Sequence, residues 1–158
     1  MPIEIERKFL LKNDSWRKNL TGTHYHIVQA YLNKKGKNTV RVRIAGNNAF
    51  LTIKSRTQGI VRQEFQYEIP PEEASELLKL SQTPVIEKIR YETEYAGMKW
   101  EIDEFLGANQ GLYIAEIELD SENQSFEKPE WLGQEVSGDK RYYNSYLADR
   151  PFLEWGDS

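Results

Sequence analysis

Hydropathy alternates with a period of two through most of this chain, and the polar half of the alternation is charged. A period of two marks β-strands, whose successive side chains point to opposite faces. Eight segments carry it: residues 2–11, 24–33, 38–46, 48–56, 60–69, 85–96, 98–106 and 111–121. Lys35-Gly36-Lys37, Gly46-Asn47-Asn48, Gln58-Gly59, Ala96-Gly97 and Gly107-Ala108-Asn109 separate neighbouring segments with the residue types that turns need. Three stretches read as helices. One runs from a cap at Asn13 or Asp14 to Leu20. A second opens at Pro70-Pro71-Glu72-Glu73 and carries Leu77, Leu78 and Leu80 on its apolar face. A third starts at Asp139, carries Tyr142, Tyr143, Tyr146 and Leu147, and stops before Pro151. Many hairpin-linked strands with few helices predict an α+β fold on one antiparallel sheet, as a single domain over residues 1–158.

The charges are not interspersed. Glu4, Glu6 and Lys8 share one face of the first strand, with Ile3, Ile5 and Phe9 on the other. Arg41 and Arg43 oppose Val40, Val42 and Ile44, while Thr52 and Lys54 oppose Leu51 and Ile53. Arg62, Glu64, Gln66 and Glu68 oppose Phe65, Tyr67 and Ile69. Lys88 and Arg90 share a face, Asp103 opposes Ile102, and Glu116 and Glu118 oppose Ala115, Ile117 and Leu119. Residues two apart on a strand sit about 6.6 Å apart. Like charges at that spacing disfavour each other by roughly 1 kcal/mol in water and by more when partly buried. A merely solvated face would mix the signs. The same-sign pairs Glu4/Glu6, Arg41/Arg43, Lys88/Arg90 and Glu116/Glu118 predict a surface prepared for a charged guest.

The basic pairs suit an anion with several negative centres, such as a chain of phosphates. The acidic pairs suit a hard divalent cation that takes oxygen ligands, Mg²⁺ or Mn²⁺. Both sets meet in one site only if the strands curl until their charged faces converge. About eight strands close into a barrel of the right interior scale. The expected architecture is therefore an eight-stranded antiparallel closed β-barrel with a polar lumen, an apolar coat and a few flanking helices.

Other readings are weaker. The chain has no cysteine and two histidines, which excludes a disulfide framework or a thiolate metal site. His24 and His26, with no third histidine, read as surface strand residues. A net charge of −4 makes nucleic acid a poor partner. The charged start of MPIEIERKFLL and the lack of a long apolar run suggest a cytoplasmic protein that does not enter membranes. Trp131, Trp155 and the tyrosines at 142, 143 and 146 read as packing for the coat, or as the face of a homodimer.

Glu4-Ile5-Glu6-Arg7-Lys8 resembles the ExExK signature of the CYTH superfamily, the triphosphate tunnel metalloenzymes. The segments that follow keep the family's order: QAYL at 29–32, RVR at 41–43, LTIK at 51–54, RQE at 62–64, EKIRY at 87–91, IDEF at 102–105, AEIE at 115–118 and EVSGDKRYYN at 135–144. The chain is most similar to the short bacterial inorganic tripolyphosphatases of that superfamily. The resemblance implies a metal-dependent hydrolase acting on a triphosphate-containing small molecule in an eight-stranded tunnel. It implies that Glu4, Glu6, Glu116 and Glu118, with Asp103, hold the metal. Lys8, Arg41, Arg43, Lys54, Arg62, Lys88 and Arg90 would grip the phosphates, with Glu64 supporting them. Tyr31 and Lys54, the latter expected to lie among cations, are the candidates for proton transfer. The family also contains class IV adenylate cyclases and thiamine or nucleoside triphosphatases, which remain alternatives. No sequence feature here builds a purine pocket or an aromatic clamp.

Overall fold

The computed structural model describes residues 3–155. Nine strands form one antiparallel sheet: β1 (Ile3–Leu11), β2 (Tyr25–Asn33), β3 (Asn38–Ala45), β4 (Asn48–Ser55), β5 (Val61–Ile69), β6 (Ile86–Tyr95), β7 (Met98–Phe105), β8 (Tyr113–Glu118) and β9 (Leu132–Glu135). The order β5-β4-β3-β2-β6-β7-β8-β1 closes when Ile3–Ile5 of β1 pair with Val61–Gln63 of β5. The eight-stranded barrel expected from the alternation is therefore present. Every predicted strand falls within two or three residues of the observed one.

The ninth strand was not foreseen. It is four residues long, has no alternation, and adds to β1 beyond Phe9. Gly133 explains how it fits: a Cβ there would stand 2.9 Å from the Leu10 carbonyl oxygen, so only glycine permits this approach. The β6–β7 turn is as tight, with Ala96 at φ 50° and Gly97 at φ 80°. Two successive positive-φ residues suit a two-residue hairpin, and the non-glycine Ala96 bears the strain.

Helices cover the barrel from outside. The first predicted helix is a short 3-10 turn, Ser15–Asn19, which buries Trp16. The second is α1 (Pro71–Leu78), with proline and two glutamates in its opening turn. Ala74, Leu77 and Leu78 of α1 pack on Val42 and Ala49, outward-facing residues of β3 and β4. The third divides. Lys140–Tyr142 form a 3-10 turn, Tyr143 is extended, and α2 (Asn144–Asp149) follows.

The main apolar cluster is the coat. Phe9, Trp100, Ile102, Ala115 and Ile117 of β1, β7 and β8 pack against Trp16 and Trp131, which come from the flanking segments. A second cluster joins Leu147 and Ala148 of α2 to Ile86, Phe105, Leu112 and Ile114, with Tyr142 and Trp155 against it. Trp131, Tyr142 and Trp155, which the sequence also offered as a dimer face, are thus engaged within the chain. Among the described residues no helix is long and apolar enough to cross a membrane.

Candidate active site

Inside the barrel lies a cavity of about 330 Å³. The alternation that built the coat from odd-numbered positions of β1 and β8 turns their even-numbered positions inward. Glu4, Glu6 and Lys8 of β1 and Glu116 and Glu118 of β8 therefore line it. So do Tyr31, Arg41, Arg43, Lys54, Arg62, Glu64, Lys88 and Arg90. Of the residues expected in the site, Asp103 alone is absent from the lining.

Register explains why the charges segregate. Arg43 of β3 pairs with Gln29 of β2, which pairs in turn with Ile86 of β6. Arg41 and Arg43 therefore share the β3–β2–β6 wall with Lys88 and Arg90. Glu6 of β1 lies directly opposite Glu118 of β8, and Glu116 lies opposite both Lys8 of β1 and Glu101 of β7. Those carboxylates form the β1–β8–β7 wall.

The basic wall has an unneutralised part. Lys88 Nζ, 1% exposed, meets Asp103 Oδ2 at 2.8 Å. Asp103 also takes a two-pronged contact from Arg90, at 2.8 Å from Nε and 2.9 Å from Nη2. Burial acts against the Asp103 carboxylate, but Arg90 and Lys88 outweigh it and hold its pKa far below the ordinary range. Burial, with Arg90 and Arg43 nearby, outweighs Asp103 at Lys88 and pulls that pKa down to about 7. Asp103 is therefore engaged by two cations behind the cavity wall, not aimed into the lumen as a metal ligand would be.

Arg41 and Arg43 have no carboxylate within ion-pair distance among the described residues. Arg41 Nη2 donates to Thr52 Oγ1 at 3.3 Å, and its buried Nε has no partner. Arg43 Nε donates to Gln29 Oε1 at 2.8 Å. Burial, and then Arg41 and Arg90 beside it, lower the Arg43 pKa to about 9. A buried and a half-buried guanidinium group without an anion are costly unless one arrives.

The acidic wall shows the converse. Burial raises the pKa of Glu116, and Glu6 adds to it. Burial raises Glu118 as well, helped by Glu4, Glu6, Glu64 and Glu101. As they stand, no three described acids are gathered closely enough to hold a metal ion. Their chemistry nevertheless fits one: the donors are all carboxylate oxygens, and their mutual repulsion is what a hard divalent cation would relieve.

Lys54 bridges the walls. Its Nζ lies 3.0 Å from Glu4 Oε2 and 3.3 Å from Glu64 Oε2, with Arg62 Nε 3.7 Å from Glu4 Oε1. Burial works against the Glu64 carboxylate, but its contact with Glu4 and the charges of Lys54 and Arg41 leave its pKa lowered. The neighbours of Lys54 are thus carboxylates, not the cations expected from the sequence. Tyr31 lines the cavity in register with Arg41.

Glu101, Gln29, Tyr25, Tyr143 and Asn144 line the cavity or bond to its lining and escaped the sequence reading. Glu101 could have been found, because it shares the parity of Asp103 on β7. Gln29 and Tyr25 share the parity of Tyr31 on β2. Tyr143 and Asn144, read as coat packing or overlooked, close part of one end of the lumen. Asn144 Oδ1 accepts from both Lys88 Nζ and Gln29 Nε2 at 2.9 Å.

Comparison with known proteins places this geometry in a family. The CYTH domain description matches residues 2–143. A protein of Acetivibrio thermocellus named inorganic triphosphatase is 47% identical over 150 residues, covering 94% of this chain and 95% of the relative. One of Nitrosomonas europaea with the same name is 35% identical over 152 residues, covering 92% and 96%. A crystal structure of an inorganic triphosphatase, 33% identical, superposes with a TM-score of 0.66 over 92% of this chain and 97% of its own.

Proposed function

The chain belongs to the CYTH domain family, and on that premise we propose that it hydrolyses a linear triphosphate, inorganic tripolyphosphate foremost, in the barrel lumen with a divalent cation. One observation carries the reading. Arg41, buried, and Arg43, half-buried, are cations without a carboxylate partner among the described residues, and they share one cavity with a wall of carboxylates. The two relatives named inorganic triphosphatase support the same substrate class.

Arg41, Arg43, Lys88 and Arg90 hold the phosphate oxygens from one wall, and Lys8 of β1, Arg62 of β5 and Lys54 of β4 from elsewhere around the lumen, through charge-assisted hydrogen bonds. Their directions are fixed before the substrate arrives, so they stabilise charge that develops on phosphoryl transfer without reorganising. Glu4, Glu6, Glu116 and Glu118 would hold the cation, Mg²⁺ or Mn²⁺, which when bound would supply positive charge against the phosphates and a more acidic water. Asp103 serves as counter-ion to Lys88 and Arg90, setting their positions rather than touching the metal. Glu64 and Glu4 hold the Lys54 ammonium in the lumen. Tyr31 and Lys54 move the proton at the reacting oxygens.

The test is phosphate release from tripolyphosphate, ATP and thiamine triphosphate with Mg²⁺, beside an assay for cyclic AMP, in wild type and Glu4→Gln. Release from tripolyphosphate that collapses in the variant is the expected result. Cyclic AMP without phosphate release would replace the hydrolase by a cyclase on the same fold.

A further inference from the structure

Gln29 is fully buried and polar, and it sits between two segments that have no contact in sequence. Its Oε1 accepts from Arg43 Nε at 2.8 Å, and its Nε2 donates to Asn144 Oδ1 at 2.9 Å. The same Asn144 oxygen accepts from Lys88 Nζ at 2.9 Å. A neutral relay thus runs from Arg43 through Gln29 and Asn144 to Lys88. Its inner member Asn144 belongs to the C-terminal segment, whose Tyr143, Asn144 and Ser145 form part of the cavity wall.

The donors that this relay takes up are informative. Arg43 has five N–H groups, and the relay ties down the one on Nε. Lys88 has three, of which Asp103 and Asn144 each take one. Both side chains line the cavity. Neutral acceptors can hold a cation in place without cancelling its charge, whereas a carboxylate in the same position would compete with an incoming phosphate.

We propose that Asn144 is a positioning residue for the phosphate grip, acting through Gln29 and Lys88 so that Arg43 and Lys88 present their remaining donors to the same end of the triphosphate. The proposal rests on the function given above for the lumen. The segment has its own anchors outside the relay. Lys34 Nζ donates to the Ser145 carbonyl at 3.0 Å and pairs with Asp149, and Leu147 and Ala148 are buried.

The test compares Asn144→Ala with Lys34→Ala, each alone and combined with Arg43→Ala. The readouts are kcat and KM for tripolyphosphate with Mg²⁺, and the affinity for metal-free tripolyphosphate by calorimetry. Asn144→Ala should weaken metal-free binding by about 10-fold or more, the loss expected for a hydrogen bond to a charged group. In the Arg43→Ala background the same substitution should cost no more than about 2-fold, because part of what it positions is already gone. Lys34→Ala loosens the segment without touching the relay and should leave the affinity close to wild type. Full additivity of Asn144→Ala with Arg43→Ala, or an equal loss in Lys34→Ala, would overturn the proposal, since either means that the segment matters only as packing. The calorimetric arm needs no turnover. A wild-type protein that binds but does not hydrolyse would sink the hydrolase reading and still decide the role of Asn144.

Discussion

Binding of tripolyphosphate at pH 8 should bring close to one proton to Lys88. In the empty lumen, burial with Arg90 and Arg43 beside it lowers the Lys88 pKa to about 7. At pH 8 such a lysine is only about 10% protonated, whereas an ordinary lysine near 10.4 is charged throughout. Burial and neighbouring Arg41 lower Arg43 to about 9, which leaves it about 90% protonated at the same pH. An anion carrying several charges favours the charged form of both. Restoring them to their ordinary range takes up about 0.9 proton at Lys88 and about 0.1 at Arg43. Tripolyphosphate gives up its last proton at a higher pH than a phosphate monoester, because the chain already carries several negative charges, so Lys88→Met is the reference that removes the ligand's own protons. The assay is calorimetric titration at pH 8 in buffers of different ionisation enthalpy, whose slope gives the protons exchanged. Repeating it at pH 6, where Lys88 is already about 90% charged, should cut the contribution of Lys88 to about 0.1 proton. Lys88→Met should lower the net uptake at pH 8 by close to one proton. Equal slopes in wild type and Lys88→Met at pH 8 would refute the reasoning, because they would mean that the ion pair with Asp103 already keeps Lys88 fully charged. The same shift affects stability. The unfolded lysine binds its proton below about pH 10.4 and folded Lys88 only below about 7, so the ligand-free protein should gain stability as pH rises between those values.

Two further outcomes can be checked. Asp103→Asn leaves Lys88 and Arg90 buried without their shared carboxylate and should destabilise the fold by about 3–5 kcal/mol in urea unfolding; a change under about 1 kcal/mol would show that the carboxylate does not neutralise them. Tripolyphosphate with Mg²⁺ at about 100 times its dissociation constant should add about 2.7 kcal/mol of stability and raise the melting temperature, and an unchanged melting temperature at saturation would count against the lumen as the binding site.

The strands were legible because burial here depends on parity. One face of each strand packs on a coat of tryptophans and aliphatics and the other lines a cavity, so a one-residue error in register would bury every charge in the coat. Same-sign spacing made the lumen legible too: Arg41, Arg43, Glu116 and Glu118 all face it. Asp103 shows where that logic stops. Parity placed it on the inner face correctly, but only the cross-strand register, Arg90 against Asp103, reveals that it is occupied by cations. Lys54 fails in the same way, since its nearest charges, Glu4 and Glu64, come from strands 50 residues before it and ten after it. Asn144 and β9 were beyond reach. One lies in a non-periodic segment, and the other is held by the close approach of Gly133 to a carbonyl oxygen.

The division of β1 among three partners has a consequence for how the molecule comes together. Its first residues pair with β5, its middle with β8 and its end with β9, so the opening segment of the chain waits for residues more than 100 positions later. The β2–β3–β4–β5 meander can form from local hairpins, while joining β1 to β8 is a non-local step that carries a large loop-closure entropy. That last step also brings Glu6 opposite Glu118, two like charges face to face. Barrel closure is thus a non-local step that electrostatics oppose at the seam. A divalent ion held between those carboxylates would ease the joining of the two ends of the sheet as well as the binding of substrate.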